Sequence, residues 1–315
     1  MGVVKTSVIV EQHIHGAFGI DFLTCNEYEL LDCAKKLLKI GVGVFCPTLA
    51  TAPVGILRRQ IDVISSAIRL QQEKKAGGAK IYGINLEACF IAPEKRGIHD
   101  ESQLLLPSVE NFKLLESENI RLVTLAPELD KNLELTNYLR AKGVKVFAGH
   151  TQAHNLRNMD GVTHLFNAMA GISHRRQNTV TSALLNDDLY CELIADGYHI
   201  HYDNIKLVLK TKSLNKIILI SDALPIAGSE ETEMMFCNKK IYLSDGRATD
   251  SGGTLAGSSM LLPDIIRKLV KNEILTLEAA VKMAANSATL FDLSLDNQYL
   301  LWDDDLNLES VKFAH

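Results

Sequence analysis

The sequence lacks the features that would place it among membrane, secreted or redox-active proteins. Its six cysteines are scattered and include no CxxC pair, which favours buried free thiols in a reducing compartment. No apolar stretch approaches the ~18 residues that a membrane helix needs, and no signal peptide precedes the first motif. These absences predict a soluble, cytoplasmic protein that has no membrane partner.

An excess of basic residues is also missing. The 315 residues include 33 Lys plus Arg and 38 Asp plus Glu, a formal net charge of −5, which argues against a nucleic-acid partner. Internal repeats, low-complexity tracts and Pro-rich linkers are not visible either. The length therefore fits one large domain, with or without a small appendage.

The sequence does contain a repeating pattern of short β-branched stretches, each followed by a turn and usually by an amphipathic segment. Apolar residues at helical spacing, such as Leu30, Ala34 and Leu37, fill most of the intervals. Strands that alternate with helices form parallel sheets, and eight such units predict an α/β fold, a closed (β/α)8 TIM-like barrel. The predicted strands are Ser7–Val10, Val42–Cys46, Lys80–Leu86, Arg121–Leu125, Val144–Ala148, Val162–Phe166, Leu189–Ile194 and Lys216–Ile220.

Two regions depart from this pattern. Only Thr151–Gly161 separates the fifth and sixth strands, which is barely enough for a crossover, so the helix there is the weakest element. Beyond a helix at Leu277–Ala285, the tail shows two short strand patterns, Tyr299–Trp302 and Val311–Phe313. The tail therefore predicts a small appendage and not a second domain.

Residues that bind metals follow almost every predicted strand. The C-terminal ends of the strands in such a barrel converge on one mouth, so we expect these side chains around one small volume. Imidazole and carboxylate are ligands that suit Zn, Fe, Mn or Co, and the pattern predicts a divalent-metal site. In chain order the residues are His13, His15, Glu87, His150, His164, His199 and Asp222.

Each of these residues also has a structural alternative. One histidine beside a strand end is more often a hydrogen-bonded structural residue than a ligand, and Asp222 precedes a turn, where it could cap a helix. His13 and His15 are a stronger signal, because residues i and i+2 of a strand point to the same face. Several such residues at the same end of successive strands are difficult to attribute to packing.

A series of motifs occurs in a fixed order over roughly residues 8 to 290. They are Glu11–Gly16 (EQHIHG), Pro47–Thr51 (PTLAT), Leu86–Pro93 (LEACFIAP), Lys95–His99 (KRGIH), Gly149–His150, Thr163–Met169 (THLFNAM), Ile194–His199 (IADGYH), Ser221–Gly228 (SDALPIAG) and Gly252–Ser258 (GGTLAGS). Together they resemble the amidohydrolase superfamily and, within it, the N-acetylglucosamine-6-phosphate deacetylases. THLFNAM, IADGxH and GTLAGS in this order are highly specific, whereas HxH marks only the superfamily.

The resemblance implies a metal centre with defined ligands. Glu87, His150 and His164 would hold the principal ion, while His13 and His15, together with Glu87, would hold a second ion that some family members lack. Asp222 would lie at the metal and act as the general base and then the general acid. One or two divalent ions (Zn, Fe, Mn or Co) would thus serve an enzyme that hydrolyses the acetamide of an amino-sugar phosphate.

The resemblance also implies contacts with that substrate. His99 and His199 would contact the acetamide carbonyl and the sugar, and His99 would also act in catalysis. In the family, an arginine equivalent to Arg175 can come from the neighbouring subunit of a homodimer and bind phosphate in bidentate fashion. The implied contacts are His99, His199, Asn167, Ala168, Arg175, Gly253, Thr254 and Leu255.

The chain departs from the family pattern in four places. Only twelve residues precede His13, and the closing segment is short, so we predict a barrel over residues 1–290 and a remnant of a largely missing small β domain over residues 291–315. The family's HLEGPF is here Asn85–Phe90, in which Cys89 is either a ligand or a packing thiol. Arg176–Asn178 replaces the usual Glu-Pro-Gly.

Three functions remain open on this basis. The first is a deacetylase of N-acetylglucosamine 6-phosphate. The second is a deacetylase of another N-acetylated sugar or amine, with the same metal ligands and different substrate contacts. The third is a non-catalytic relative that binds a sugar phosphate. The short ends of the chain favour this third function, and the complete set of metal ligands argues against it.

Overall fold

The computed structural model describes residues 3–295 and 298–313. Its strands are β1 (Val4–Ser7), β2 (Ile9–Ile14), β3 (Gly16–Ala17), β4 (Ile20–Asp21), β5 (Val42–Ala50), β6 (Lys80–Ile81), β7 (Ile84–Glu87), β8 (Ile120–Leu125), β9 (Lys145–Ala148), β10 (Gly161–Val162), β11 (Tyr190–Ile194), β12 (Ile217–Ile220), β13 (Glu233–Phe236), β14 (Lys239–Ser244), β15 (Arg247–Asp250), β16 (Leu255–Ser258), β17 (Gln298–Trp302) and β18 (Leu308–Phe313). Its helices are α1 (Glu27–Lys39), α2 (Val54–Glu73), α3 (Val109–Lys113), α4 (Glu134–Ala141), α5 (Thr179–Leu185), α6 (Tyr202–Thr211), α7 (Leu262–Lys271) and α8 (Leu277–Leu290). Short 3₁₀ turns lie at Pro93–Lys95, Glu101–Gln103, Pro127–Leu129, Lys131–Leu133 and Leu214–Lys216.

The central sheet is a parallel barrel that helices surround. Over the described residues its strand order is β2-β5-β7-β8-β9-β10-β11-β12, and β6 adds a short pairing to β5. All nine residues of β5 are buried, because a parallel strand inside such a barrel is covered on both faces. The predicted (β/α)8 fold is confirmed, and the eight predicted strands coincide with these strands to within a few residues.

Local sequence explains where the outer helices begin. Asn26 caps α1: its side chain accepts from the backbone N–H of Tyr28 and Glu29, and the Glu29 side chain accepts in return from Asn26 N. This capping box satisfies N–H groups that the first turn leaves unpaired. Leu30 and Leu37 then bury the inner face of the helix. Helix α8 begins at the Thr276 cap, as predicted, and packs against β2 and β12.

The first and last barrel strands meet at a seam that a few hydrogen bonds close. Asp222 N donates to the His13 carbonyl oxygen at 2.9 Å, and His15 N donates to the Ala223 carbonyl oxygen at 2.9 Å. Ile14 and Ala223 form an isolated parallel bridge. The barrel therefore closes at the residues that the sequence marks as metal ligands.

An antiparallel sheet of β13–β16 extends from the mouth of the barrel, and the sequence did not predict it. Its inner face packs Phe236 and Ile241 against Leu224 and Ile226, which follow β12. Gly257 in β16 has φ +149°, and a Cβ there would lie 2.9 Å from the Asp222 carbonyl oxygen. Only glycine allows this close approach, so the GTLAGS motif has a structural reason for its second glycine.

The tail strands β17 and β18 form a small antiparallel sheet with β1. Trp302 is buried there, and its Nε1 donates to Thr6 Oγ1 at 2.9 Å. The segment predicted as a remnant over residues 291–315 thus pairs with a strand from the start of the chain. Residues 296, 297, 314 and 315 lie outside the described residues. The domain boundary at residue 290 stays a prediction.

Three local expectations need correction. Between β9 and β10 the chain forms turns and not a helix. Strand β10 ends at Val162, so His164 follows the sixth strand and does not lie within it. His13 lies inside β2 and not after it, because the predicted run Ser7–Val10 spans the end of β1 and the start of β2.

In the part of the chain that the structure describes, no helix is both long and apolar enough to cross a bilayer.

Candidate active site

The predicted metal ligands meet at the C-terminal rim of the barrel. Glu87 is the last residue of β7, and His150, His164 and Asp222 each follow their strand by two residues. Two groups able to hold a metal ion occur among the described residues, and both contain Glu87. All members of both groups are buried.

Three of these residues have an unusual backbone. The φ angles of His150, His164 and Asp222 are +48°, +32° and +52°. Residues with side chains rarely adopt this left-handed region, and each costs about 1–3 kcal/mol when held in a sparsely populated conformation. Such a concentration at one rim is typical of a functional site, where side chains are turned toward a common centre.

The first group consists of Glu87, His150 and His164. Glu87 Oε1 lies 2.8 Å from His164 Nε2 and 3.3 Å from His150 Nε2, and the two ring nitrogens are 3.1 Å apart. His150 Nδ1 donates to the Lys95 carbonyl oxygen at 2.7 Å, because a carbonyl can only accept. Nε2 is therefore the ring nitrogen that is left to face the group and to bind an ion.

The second group uses the other oxygen of the same carboxylate. Glu87 Oε2 lies 3.2 Å from His13 Nε2 and 3.1 Å from His15 Nε2. Asp222 Oδ1 lies 3.3 Å from His13 Nε2 and 3.1 Å from His15 Nε2. Glu87 thus stands between the two groups, in the position of a bridging carboxylate.

These residues fit divalent ions. Ligands at about 2.0–2.1 Å from a tetrahedral ion lie about 3.3–3.4 Å apart, which is close to the separations within both groups. His13 Nε2 and Asp222 Oδ1 are buried, and although they lie near each other, none of their contacts among the described residues has hydrogen-bond geometry. Buried polar atoms are normally paired, so these two atoms indicate a missing partner of positive charge.

The electrostatics of the groups point the same way. Burial alone would raise the pKa of Glu87, but the positive charge of His13 and the hydrogen bonds of the imidazoles hold it well below its usual value. Burial alone would lower the pKa of His13, but the negative charges of Glu87, Glu192 and Asp222 raise it well above its usual value. A site that draws protons this strongly onto an imidazole favours cations.

His99 offers a hydrogen-bond donor to the same space. Its Nδ1 accepts from Thr51 N at 3.2 Å and lies 2.8 Å from Thr51 Oγ1. The proton of the neutral ring is therefore on Nε2, which lies 3.9 Å from Glu87 Oε2. Burial lowers the pKa of His99 to about 3, so the ring stays neutral.

His199 is held by the carboxylate of Asp196. His199 Nδ1 donates to Asp196 Oδ2 at 2.8 Å, which leaves Nε2 as an acceptor. Asp196 also accepts from Ser258 Oγ at 3.0 Å, and from the backbone N–H of Tyr198 and His199. The IADGYH and GTLAGS motifs therefore meet at this carboxylate.

A cavity of about 220 Å³ opens above the metal ligands. Of the substrate contacts implied by the resemblance, the structure brings six to its wall: His99, Asn167, Ala168, His199, Thr254 and Leu255. Gly253 and Arg175 are exposed and are not among the lining residues. Cys89 is buried and belongs to neither metal group of the described residues.

Comparisons with known proteins agree with this site. The N-acetylglucosamine-6-phosphate deacetylase of Caenorhabditis elegans is 31% identical over 320 residues, 93% of this chain and 75% of that protein. The N-acetylgalactosamine-6-phosphate deacetylase of Escherichia coli O157:H7 is 28% identical over 88% of this chain and 74% of its own. The N-acetylglucosamine-6-phosphate deacetylase structure from Thermotoga maritima has a TM-score of 0.88 at 25% identity, covering 98% of this chain and 87% of the other. No family model matches.

The chain belongs to the N-acetylglucosamine-6-phosphate deacetylase family. It is accordingly a hydrolase of the deacetylase type, and the buried groups of this family member are able to bind a metal.

Two residues of this deacetylase site escaped the sequence analysis. The ring of Phe236 packs edge-on against His15, with centroids 5.3 Å apart, and lines the cavity. It lies in a sheet that the sequence did not predict, so nothing pointed to it. Glu192 is fully buried beside His13. Its charge inside the apolar stretch of the seventh predicted strand is a signal that could have identified it.

Proposed function

We propose that this protein hydrolyses the acetamide of N-acetylglucosamine 6-phosphate to glucosamine 6-phosphate and acetate. One observation carries the proposal: the carboxylate of Glu87 lies between two histidine pairs, with Asp222 beside it, at the floor of a small cavity. The relatives named above, which are deacetylases of amino-sugar phosphates, support the same reaction.

The groups around Glu87 supply a place for a divalent ion, which when bound acts as a Lewis acid on water and on the carbonyl. Burial opposes ionisation of Asp222, but His13 and His15 hold its pKa below the usual value, so it is a carboxylate at neutral pH. Asp222 accepts a proton from the attacking water and then delivers it to the leaving nitrogen. Water is thereby divided between the two products: its oxygen goes to acetate and its proton to the amine.

His99 and His199 orient the substrate in this proposal. The Nε2–H of His99 donates to the acetamide oxygen, on which negative charge develops as water adds. The Nε2 lone pair of His199 accepts from a sugar hydroxyl. Thr254 and Leu255, on the cavity wall, contact the sugar ring.

Asn167, Ala168 and Arg175 bind the phosphate. The first two line the cavity, whereas Arg175 lies on an exposed loop outside it. We infer that Arg175 completes the phosphate site of a neighbouring subunit in a homodimer. The native ion is Zn, Fe, Mn or Co, in one or two copies, and the protein acts in the cytoplasm.

An acetate-release assay tests the reaction. Purified protein supplied with each divalent ion is given N-acetylglucosamine 6-phosphate, and Asp222→Asn is compared at matched metal content. We expect turnover in the parent and a loss of about 10²-fold or more in the variant, the scale on which general acid–base groups act. Binding of the sugar phosphate without acetate release would contradict the proposal and favour a non-catalytic relative.

A second substrate is favoured by a specific observation. The relative from Escherichia coli O157:H7 is named for the galactosamine epimer. Running both epimers, and unphosphorylated N-acetylglucosamine, in the same assay separates the possibilities by kcat/KM. A preference for the galactosamine epimer, or equal turnover without phosphate, would move the substrate assignment and leave the metal chemistry in place.

A further inference from the structure

Glu192 is a buried carboxylate that the reaction described above does not use. It lies on β11, is fully buried, and accepts from three donors. Gln12 Nε2 is 2.5 Å from Oε1, while His13 Nδ1 at 3.1 Å and His164 N at 3.2 Å share Oε2. One side chain therefore contacts a ligand of each metal group.

The charge of Glu192 needs an explanation. A buried carboxylate is costly unless it is paired, and an uncharged residue of similar size often serves packing equally well. The three donors around it are an amide, an imidazole and a backbone N–H, none of which carries a fixed positive charge. The ring of His13 connects this carboxylate to the ion-binding group, so the charge is compensated through the metal centre.

Glu192 also fixes the state of the His13 ring. A carboxylate only accepts, so His13 Nδ1 keeps a proton, and the proton that a metal ion would displace is the one on Nε2, which faces the space between Glu87 Oε2 and Asp222 Oδ1. The ring that then remains, with its proton on Nδ1, is the tautomer that a metal ligand requires. The neighbouring ligand His15 has no such restraint, because its Nδ1 lacks a partner among the residues described.

The contact with His164 acts on the backbone. His164 holds a φ of +32°, and Glu192 binds its N–H through the side chain. The main-chain oxygen of Glu192 accepts from Leu165 N at 2.9 Å. Glu192 thereby restrains the turn that carries His164 toward Glu87.

We propose that Glu192 is a positioning residue that sets two-ion occupancy, by orienting His13 and by joining the second metal group to the turn that carries His164. This inference rests on the proposed metal-dependent function. The effect is greatest on the group of His13, His15, Glu87 and Asp222, because there Glu192 fixes a ligand ring and not only a backbone.

Metal binding itself, and not turnover, is the test. Metal-free parent, Glu192→Ala and Glu192→Gln are titrated with Zn²⁺ against a chromogenic chelator, and bound ions are counted by mass spectrometry. The parent should bind two ions, and Glu192→Ala should lose about 10- to 100-fold in the weaker step, the usual cost of removing a partner of a ligand histidine. Spectra of Co²⁺-loaded protein should lose the absorption of the second ion.

Glu192→Gln should rescue part of this affinity. Gln12 Oε1 is buried and has no partner in the described structure, so rotation of the Gln12 amide would let it accept from the new amide. The oxygen of the new side chain would then remain free to accept from His13 and His164. The hydrogen bonds persist while the charge is lost, and we expect an affinity between those of the parent and Glu192→Ala.

Asp130→Asn is the matched control. Asp130 is also a buried carboxylate, and it accepts from Leu135 N, Thr136 N and Thr136 Oγ1 without touching a metal ligand. Equal losses in Asp130→Asn and Glu192→Ala, or a second-ion affinity in Glu192→Ala within about threefold of the parent, would overturn the inference. A parent that binds one ion would also overturn it and leave the deacetylase proposal intact. A parent that binds two ions but releases no acetate would contradict the deacetylase proposal and leave the inference about Glu192 intact.

Discussion

Asp196 Oδ2 and His199 Nδ1 lie 2.8 Å apart, so the carboxylate decides which ring nitrogen of His199 faces the substrate. Asp196 is buried, and His199 lines the cavity. In this arrangement Nε2 is an acceptor. The pair thus converts a histidine that would otherwise exist in two tautomers into a group with one role.

Replacing Asp196 with Asn should lower kcat/KM by about 10- to 100-fold, the value of a hydrogen bond to a charged group. The asparagine amide can donate to Nδ1 and so stabilise the wrong tautomer. Steady-state acetate release measures the effect. Asp203→Asn is the control, because Asp203 is an exposed carboxylate whose Oδ2 lies 3.5 Å from His201 Nδ1, at a histidine outside the cavity wall. Equal activity in both variants would exclude the tautomer role.

The same residue should make stability depend on pH. Burial alone would raise the pKa of Asp196, but the hydrogen bonds from His199 and the backbone lower it below the ordinary value, which is about 3.9. Its stabilising contribution is therefore complete above that ordinary value and disappears as pH falls through the lower folded-state pKa. In urea unfolding of metal-free protein, the gap between parent and Asp196→Asn should shrink below pH 4. A gap that widens there would contradict the assignment.

Thr51→Val should impair catalysis through His99. Thr51 Oγ1 accepts from Cys89 N at 3.0 Å, so its own proton is directed at His99 Nδ1. Without the hydroxyl, only the Thr51 backbone N–H restrains the ring, and we expect kcat to fall about tenfold, the value of one such hydrogen bond. Thr179→Val removes another buried hydroxyl, which donates to the Ala153 carbonyl oxygen. Its kcat should match that of the parent, and a similar fall in both variants would count against the His99 role.

Arg175→Ala should raise KM only for phosphorylated substrate. A guanidinium paired with phosphate is worth about 1.5–3 kcal/mol, or about 10- to 100-fold in KM. Arg176→Ala changes the adjacent exposed arginine and should leave KM unaltered. Mixing Arg175→Ala subunits with subunits inactivated by Asp222→Asn would restore one intact site per dimer if the arginine acts across subunits. Activity that stays at the level of the separate variants would place it in its own chain.

The barrel was predictable because its strands are almost entirely buried. Nine consecutive buried positions in β5 leave a continuous apolar and β-branched signal, which does not depend on distant contacts. The strands β13–β16 leave no such signal: β14, for example, alternates exposed and intermediate positions around the single buried Ile241. Their stability comes from packing against Leu224 and Ile226, a contact that no local pattern encodes.

The site was predictable in composition and not in geometry. The ligand types and their order along the chain indicated a metal centre, because the barrel brings strand ends together. The left-handed backbone of His150, His164 and Asp222 was not predictable, since none of these residues is a glycine. For the same reason the predicted sixth strand, Val162–Phe166, extends beyond the observed strand and through the turn that carries His164.

The seam between β2 and β12 has a consequence for how the site comes into being during synthesis. His13 and His15 emerge from the ribosome more than two hundred residues ahead of Asp222, yet the backbone bonds that join the two strands are made by these very residues and their neighbours. A nascent chain can assemble the histidines and Glu87 early, but it gains the last carboxylate only when the eighth strand docks beside the first. At the proposed metal site, full loading would therefore be a late event, and an ion bound between His13, His15 and Asp222 would hold the first and last strands together.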